Sequence, residues 1–285
     1  MTRCGIVALA GRPNVGKSSL LNALVGEHLG IVSPKPQSTR VPVVGVLTEG
    51  EAQLVFSDCP GLLEPAYRLQ EVMRQTALAA LADADVIAFL HPLPEHPAPT
   101  LAAVAGLAAP PRAPVLTIYT KADLVPVDQR PAVAPADAAV VSALTGEGIA
   151  ALRARLGDVV PAGPWLYDPE QLAAQPLRFF AAEFVREAAF AHLSQELPYS
   201  VTCMVEEFRE ATDPVYIRAI LYVERDSQKG MVIGQGGQAI RTIGTAARAR
   251  IEQLVGRRVY LDLHVKVLPA WRRRDAALKR LGYLS

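Results

Sequence analysis

Cysteine is scarce: Cys4, Cys59 and Cys203 are the three thiols in 285 residues. An odd, widely spaced set excludes a disulfide framework and the paired spacing of a zinc site, and suits reduced thiols inside a cell. His28, His91, His96, His192 and His264 show no ligand spacing either. A long apolar run is also missing, because the richest region, 78–110, is broken by Asp83, Asp85, Glu95 and several prolines. That interruption argues against a membrane-spanning helix. MTRCGIVALAG at the start has the single basic residue and short apolar run of a secretion signal, but it leads directly into GRPNVGKS and reads as a strand feeding a loop. Aromatic residues are few as well, at 6%.

What is present is aliphatic material, with 51% of residues hydrophobic, enough for two cores in a chain of this length. The net charge is only +1, yet it is unevenly spread. From Lys229 to Ser285 there are twelve Lys and Arg against three Asp and Glu, a local +9, which leaves −8 for the first 228 residues. A polyanion partner for the C-terminal part would account for this asymmetry, and so would a solvated basic face.

Between Arg3 and Leu156 apolar strand runs alternate with helical stretches: CGIVALA, VPVVGVL, AQLVFS, DVIAFL, APVLTIYT and AAVVSA are the strands, with helices at Lys17–Leu24 and Ile149–Leu156 among them. The alternation predicts a doubly wound, mostly parallel sheet with ligands at the carboxyl ends of its strands. Polar clusters occur there. GRPNVGKS (Gly11, Arg12, Pro13, Asn14, Val15, Gly16, Lys17, Ser18) has the glycine spacing that wraps backbone N–H groups around phosphates, a lysine for the β- and γ-phosphates, and a hydroxyl for Mg²⁺. DCPGL (Asp58, Cys59, Pro60, Gly61, Leu62) offers an acid for the metal shell and a glycine N–H for the γ-phosphate. TKAD (Thr120, Lys121, Ala122, Asp123) and SAL (Ser142, Ala143, Leu144) suit a guanine, with Asp123 accepting from the ring, Lys121 lying over the base and the Ala143 N–H meeting O6. Each signal alone is modest; their order along the chain is what joins them.

On these motifs residues 1–160 resemble a translation-factor-type GTPase domain, an α/β P-loop fold. The resemblance implies that QSTR (Gln37–Arg40) is the first switch, with Thr39 joining Ser18 and Asp58 around Mg²⁺, and that Lys17, Asn14, Thr39 and Gly61 serve hydrolysis of bound GTP. Two departures stand out. Thr120 occupies the place of the usual asparagine, which weakens base recognition, and Leu62 stands where Ras-like enzymes carry a water-orienting glutamine. Leucine at that position together with Asn14 resembles the hydrophobic-substituted GTPases, some of which use K⁺ as a hydrolysis activator.

PAGPWLYDPEQLAAQP (161–176) is proline-rich and aperiodic, so it is expected to be a linker. Residues 177–285 then read as a helix (Leu177–Leu193), strands around Tyr199–Glu207 and Val215–Val223, a glycine loop, a helix (Gln238–Val255), a strand (Arg258–Val267) and a basic helix (Ala270–Leu281). This α-β-β-α-α-β order resembles an α+β type II KH domain. Its glycine loop VIGQGGQAI places Gly234, Gln235, Gly236 and Gly237 in the register that clamps about four nucleotides, with Ile233 and Ile240 as flanking core residues. Lys229, Arg241 and Arg248 are the expected phosphate contacts. The charges of WRRRDAALKR either touch RNA or solvate a helix.

Taken together, with ELPYSV, IRTIG and LGY added, the motifs resemble the Era family of ribosome-associated GTPases over almost the whole chain. The resemblance implies a monomeric cytoplasmic GTPase that binds the 3′ end of 16S ribosomal RNA and assists assembly of the small (30S) ribosomal subunit, with some peripheral association with the inner membrane. Two other readings remain at this point: an RNA-binding module whose nucleotide selectivity has weakened, for which Thr120 is the argument, and a membrane-associated cell-cycle regulator.

Overall fold

Aliphatic runs without polar alternation need cover on both faces, and here they form the middle of one sheet. The computed structural model describes residues 1–133 and 138–284, so Ser285, the end of the expected second domain, lies outside it. The chain divides into two compact units, 1–66 with 70–174, and 67–69 with the residues from 175 onward.

In the first unit the strands are β1 (Arg3–Ala10), β2 (Val43–Glu49), β3 (Ala52–Asp58), β4 (Val86–Pro92), β5 (Val115–Thr120) and β6 (Ala138–Val140), in the order β2-β3-β1-β4-β5-β6. All pairings are parallel except β2 with β3, which are joined by the tight turn at Gly50. Every residue of β4 is buried, as a central parallel strand demands. Helices α1 (Lys17–Val25), α2 (Arg68–Ala82), α3 (Leu101–Ala105) and α4 (Ile149–Val159) follow β1, β3, β4 and β6. The carboxyl ends of β1, β3 and β5 therefore bring loops 11–18, 58–62 and 120–123 to one edge, the position at which such sheets hold ligands.

The expected linker is a strap for most of its length. The Cys4 amide donates to the Pro161 carbonyl (3.0 Å), the Val46 amide to Leu172 (2.9 Å) and the Ala174 amide to Val44 (3.1 Å). The buried Gln53 side chain accepts from the amides of Leu166 (2.8 Å) and Tyr167 (2.9 Å) and donates to the Tyr167 carbonyl (2.9 Å). Residues through Ala174 consequently group with the first unit.

The second unit contains α5 (Leu177–His192), α6 (Leu197–Ser200), β7 (Thr202–Arg209), β8 (Val215–Val223), α7 (Asp226–Ile233), α8 (Gln238–Val255), β9 (Val259–Val267) and α9 (Asp275–Arg280). Its sheet runs β7-β8-β9, with β7 antiparallel and β9 parallel to β8. Ile243, Ala247 and Ile251 form the buried stripe of α8, spaced one helical turn apart, and α8 packs on α5. Two expectations change. The strand expected from Tyr199 starts at Thr202, because Leu197–Ser200 makes a helical turn. The basic helix expected over 270–281 is broken: Trp271 turns inward, fully buried, to donate to the Ser200 carbonyl (2.8 Å), and Arg274 is extended before α9 begins.

Candidate nucleotide site and nucleic-acid interface

Two glycine loops carry the candidate chemistry, one in each unit. The first runs from Gly11 to α1 and places Asn14 at φ 62° and Gly16 at φ 96°, which curls the backbone before the helix N-terminus. Lys17 is buried, and its ammonium donates to the carbonyls of Gly11 (3.3 Å) and Arg12 (2.9 Å) inside that curl. Burial lowers the Lys17 pKa, and the neighbouring Asp58 carboxylate opposes the shift. A cavity of about 380 Å³ opens over the loop, lined by Asn14, Gly16, Lys17, Ser18, Thr39 and Gly61 among others. Gly61 closes its back wall, since a Cβ there would lie 2.8 Å from the backbone nitrogen of Pro13.

Ser18, Thr39 and Asp58, expected to share a metal, do converge. Ser18 Oγ donates to Asp58 Oδ2 (2.6 Å) and lies 2.9 Å from Thr39 Oγ1, which itself donates to the same carboxylate oxygen (3.2 Å). Burial pushes the Asp58 carboxyl up to about 6, against the pull of Lys17 and the two hydroxyls. Its other oxygen, Oδ1, is buried and has no hydrogen-bond partner. An orphaned carboxylate oxygen beside two hydroxyls is an all-oxygen donor set, which fits a hard divalent cation such as Mg²⁺. No cluster of three or more His, Cys, Asp or Glu suited to a softer metal occurs among the described residues.

Within the DCPGL turn, the side chains of Cys59 and Leu62 do not reach the cavity. Both are buried in the hydrophobic cluster that includes Ala77, Leu81 and Phe89, and burial raises the Cys59 thiol to about 12. Only the backbone of these residues is available to a nucleotide, and the Leu62 amide is already bonded to Gly11 (3.0 Å). Asn14 directs its amide nitrogen to the Pro34 carbonyl (2.7 Å), which turns the amide oxygen the opposite way.

A second cavity, about 290 Å³, adjoins the first and is lined by Gly16, Thr120, Lys121, Asp123, Ala143 and Leu144 among others. Lys121, at φ 58°, borders both. Asp123 accepts from Ser142 Oγ through Oδ1, so the TKAD and SAL loops are latched together. Thr120, expected among the nucleotide-binding residues, directs its hydroxyl away from the base. It is buried, and its hydroxyl donates to the Val15 carbonyl of the phosphate loop at 2.6 Å.

Sequence reading missed Asn22, on α1. Its side-chain oxygen accepts from the amides of Leu29 (2.9 Å) and Gly30 (2.8 Å) while its nitrogen donates to the Gly30 carbonyl (2.9 Å), anchoring the chain that leads to Thr39. An asparagine inside an amphipathic helix gives no local sign of such a role.

In the second unit the loop between α7 and α8 has φ 73° at Gly234, 58° at Gly236 and 76° at Gly237. The glycines differ in purpose. A Cβ on Gly234 would meet Ala239 Cβ at 2.8 Å, so this residue serves packing, whereas Gly236 and Gly237 face open space with exposed Gln235 beside them. Ile233 and Ile240 are half-buried rather than core, that place being taken by Val232 and Ile243. Ile240 instead helps to floor a groove of about 250 Å³ with Gly244, Leu261 and Leu263, and the exposed Arg241 and Arg248 stand on its rim. Lys229 lies on α7 and is not among the groove's lining residues. Leu261 and Leu263 were legible only as one face of an alternating strand.

An apolar floor with a basic rim beside a bare glycine turn suits bases below and phosphates above. Residues 6–121 match the model of the 50S ribosome-binding GTPase family, and residues 196–272 match that of the KH domain. GTPase Era of Carboxydothermus hydrogenoformans is 37% identical over 298 residues, covering 99% of this chain and 98% of the relative. Among solved structures, that of a point variant of Aquifex aeolicus Era bound to GDP·AlF4⁻ is 34% identical with a TM-score of 0.92, and one of Era in complex with MgGDPNP and nucleotides 1506–1542 of 16S ribosomal RNA is 33% identical with a TM-score of 0.91; each covers both chains fully. With loops 11–18, 58–62 and 120–123 gathered at one edge of the sheet, these matches show that the chain belongs to the Era family and is a GTPase that converts GTP to GDP and phosphate.

Proposed function

We propose that the protein is a GTP-dependent switch that binds the 3′ region of 16S ribosomal RNA and assists assembly of the small ribosomal subunit in the cytoplasm. The observation that carries the RNA part is the groove of the second unit, apolar below and edged by Arg241 and Arg248, beside the open turn Gln235–Gly237. The Era complex containing nucleotides 1506–1542 supports the choice of RNA. Peripheral contact with the membrane belongs to the same proposal; among the described residues no helix is long and apolar enough to cross one.

In the first unit, the backbone N–H groups of Gly11–Ser18 and the Lys17 ammonium hold the phosphates, and Asp123 with the Ala143 N–H reads guanine. Water attacks the γ-phosphorus in line as the bond to the β-phosphate oxygen breaks, and the charge that spreads over the phosphoryl oxygens is met by Lys17. Ser18, Thr39 and Asp58 would hold Mg²⁺, which when bound would neutralise phosphate charge. Thr39 thereby couples the presence of the γ-phosphate to its own loop. Leu62 is packed in the core and cannot orient the water; a K⁺ ion held near Asn14 would supply positive charge to the phosphates in its place. Equal hydrolysis rates in potassium and sodium chloride would remove that element.

The RNA reading is tested by changing Gln235 and Gly236 together to aspartate. Two negative charges against the strand should abolish binding of an RNA carrying the 3′ tail of small-subunit ribosomal RNA and flatten its salt dependence by about 0.7 per lost phosphate contact. Basal GTP hydrolysis is expected to stay at the parent rate. A folded variant that binds as tightly as the parent would make the loop a mere connector. Co-sedimentation with small subunits in GTP and in GDP tests the switch, and equal association in both would count against it.

A further inference from the structure

We propose that Arg130 and Glu147 are positioning residues for base recognition, a clamp that holds the two guanine loops in register from outside the cavity. The inference rests on the reading above that Asp123 and Ala143 face guanine. Arg130 uses its whole guanidinium. Nε donates to the Val125 carbonyl (3.1 Å), Nη2 to the Ala122 carbonyl (3.0 Å) and to Glu147 Oε2 (3.1 Å), and Nη1 to Glu147 Oε1 (2.5 Å). The carbonyls belong to the turn that carries Asp123, and Glu147 belongs to the loop that carries Ala143. The far loop is itself fixed, since the Ser142 amide donates to the Glu147 carbonyl (3.0 Å) and the Gly146 amide to Ser142 (2.9 Å). Displacing either member would break the side-chain link between the two loops at this point.

Two features give the clamp its importance. Between these loops the Ala122 amide donates to the Val141 carbonyl (3.1 Å), but the side-chain latch, Ser142 Oγ to Asp123 Oδ1, competes for the carboxylate that must also take the base. Thr120, which opens the TKAD turn, spends its hydroxyl on Val15 and has no amide to brace the base. The outer pair then supports the turn carrying Asp123 from its far side, through the Ala122 and Val125 carbonyls. A forked, planar donor set suits two carbonyls and a carboxylate at once; lysine, a single point of charge, does not.

The test is calorimetric titration of GDP and IDP, whose hypoxanthine lacks the 2-amino group, into the parent, Arg130→Ala, Glu147→Ala and the double variant. Each single change should weaken GDP binding about tenfold, and the double change should add little, because both remove one device. The preference for GDP over IDP should shrink in step, and in turnover assays the loss should fall on KM rather than on kcat. Should Arg130→Ala fail to fold, Glu147→Ala carries the test, since Arg130 keeps its bonds to Ala122 and Val125. A variant that melts with the parent yet keeps the parent's GDP affinity and GDP to IDP ratio would overturn the proposal, as would additive losses in the double variant. A parent that does not separate GDP from IDP would overturn the guanine reading itself, and the clamp with it.

Discussion

Replacing Thr120 by valine keeps the shape of the side chain and removes one hydroxyl, which makes the hydroxyl's worth measurable. That group is buried and donates to the Val15 carbonyl at 2.6 Å; its other neighbour, the His91 carbonyl, is a long 3.4 Å away. Val15 sits between Asn14 and Gly16, both at positive φ, so its carbonyl is part of the curl that must fit the phosphates. Leaving a buried acceptor unpaired costs about 1 to 3 kcal/mol. If the curl opens to recover that cost, nucleotide affinity falls by roughly fivefold at the lower figure and more than a hundredfold at the upper. Thr120→Ser should bind GDP as the parent does, since it keeps the donor. Thr120→Asn brings two N–H groups, one for Val15 and one for the base cavity, and should tighten GDP and GTP alike by roughly fivefold. Isothermal titration on the four proteins, with melting curves of the nucleotide-free forms, is the assay. A Thr120→Val protein within twofold of the parent would refute the argument that this bond shapes the phosphate loop.

Lys17→Ala should abolish GTP hydrolysis while circular dichroism stays that of the parent, because the ammonium bonds loop carbonyls rather than core elements; retained hydrolysis at saturating GTP would take Lys17 out of the reaction. Asp58→Asn should stabilise the nucleotide-free protein and destroy Mg²⁺-dependent GTP binding. Burial raises the carboxyl from 3.8 to about 6, so the folded state binds its proton more tightly than the unfolded state, and this favourable contribution, full below 3.8, is lost as pH rises through about 6. The loss is worth about 3 kcal/mol at neutral pH. Calorimetric melting at pH 5 and pH 7.5 should show a smaller fall for the variant than for the parent, and equal falls would contradict the assignment.

The loops GRPNVGKS, DCPGL and TKAD were readable as turns at strand ends because each lies in a short contiguous stretch whose backbone geometry dictates residue type. Strand runs such as DVIAFL and the stripe of α8 were readable because burial on a regular element has a period. What could not be read depends on distant partners. The strap is held by backbone groups and by Gln53, more than a hundred residues away in sequence, and an aperiodic proline-rich stretch looks the same whether bound or free. The inward turn of Cys59 and Leu62, the anchoring by Asn22 and the Arg130 to Glu147 pair are likewise tertiary facts. The break before α9 follows from the burial of Trp271, which a basic helical pattern conceals.

The strap has a further consequence for β2, which is the outermost strand on its side of the sheet. An uncovered outer strand offers a row of free amides and carbonyls to any passing chain and invites self-association. Here Val44 and Val46 are engaged by Ala174 and Leu172, and Gly45 is bridged to Ala173, so the row is shielded by the protein's own continuation. A truncation ending at residue 160, where the periodic sequence stops, would strip that shield and leave the nucleotide-binding unit prone to aggregate, whereas one ending at residue 174 would keep the edge covered.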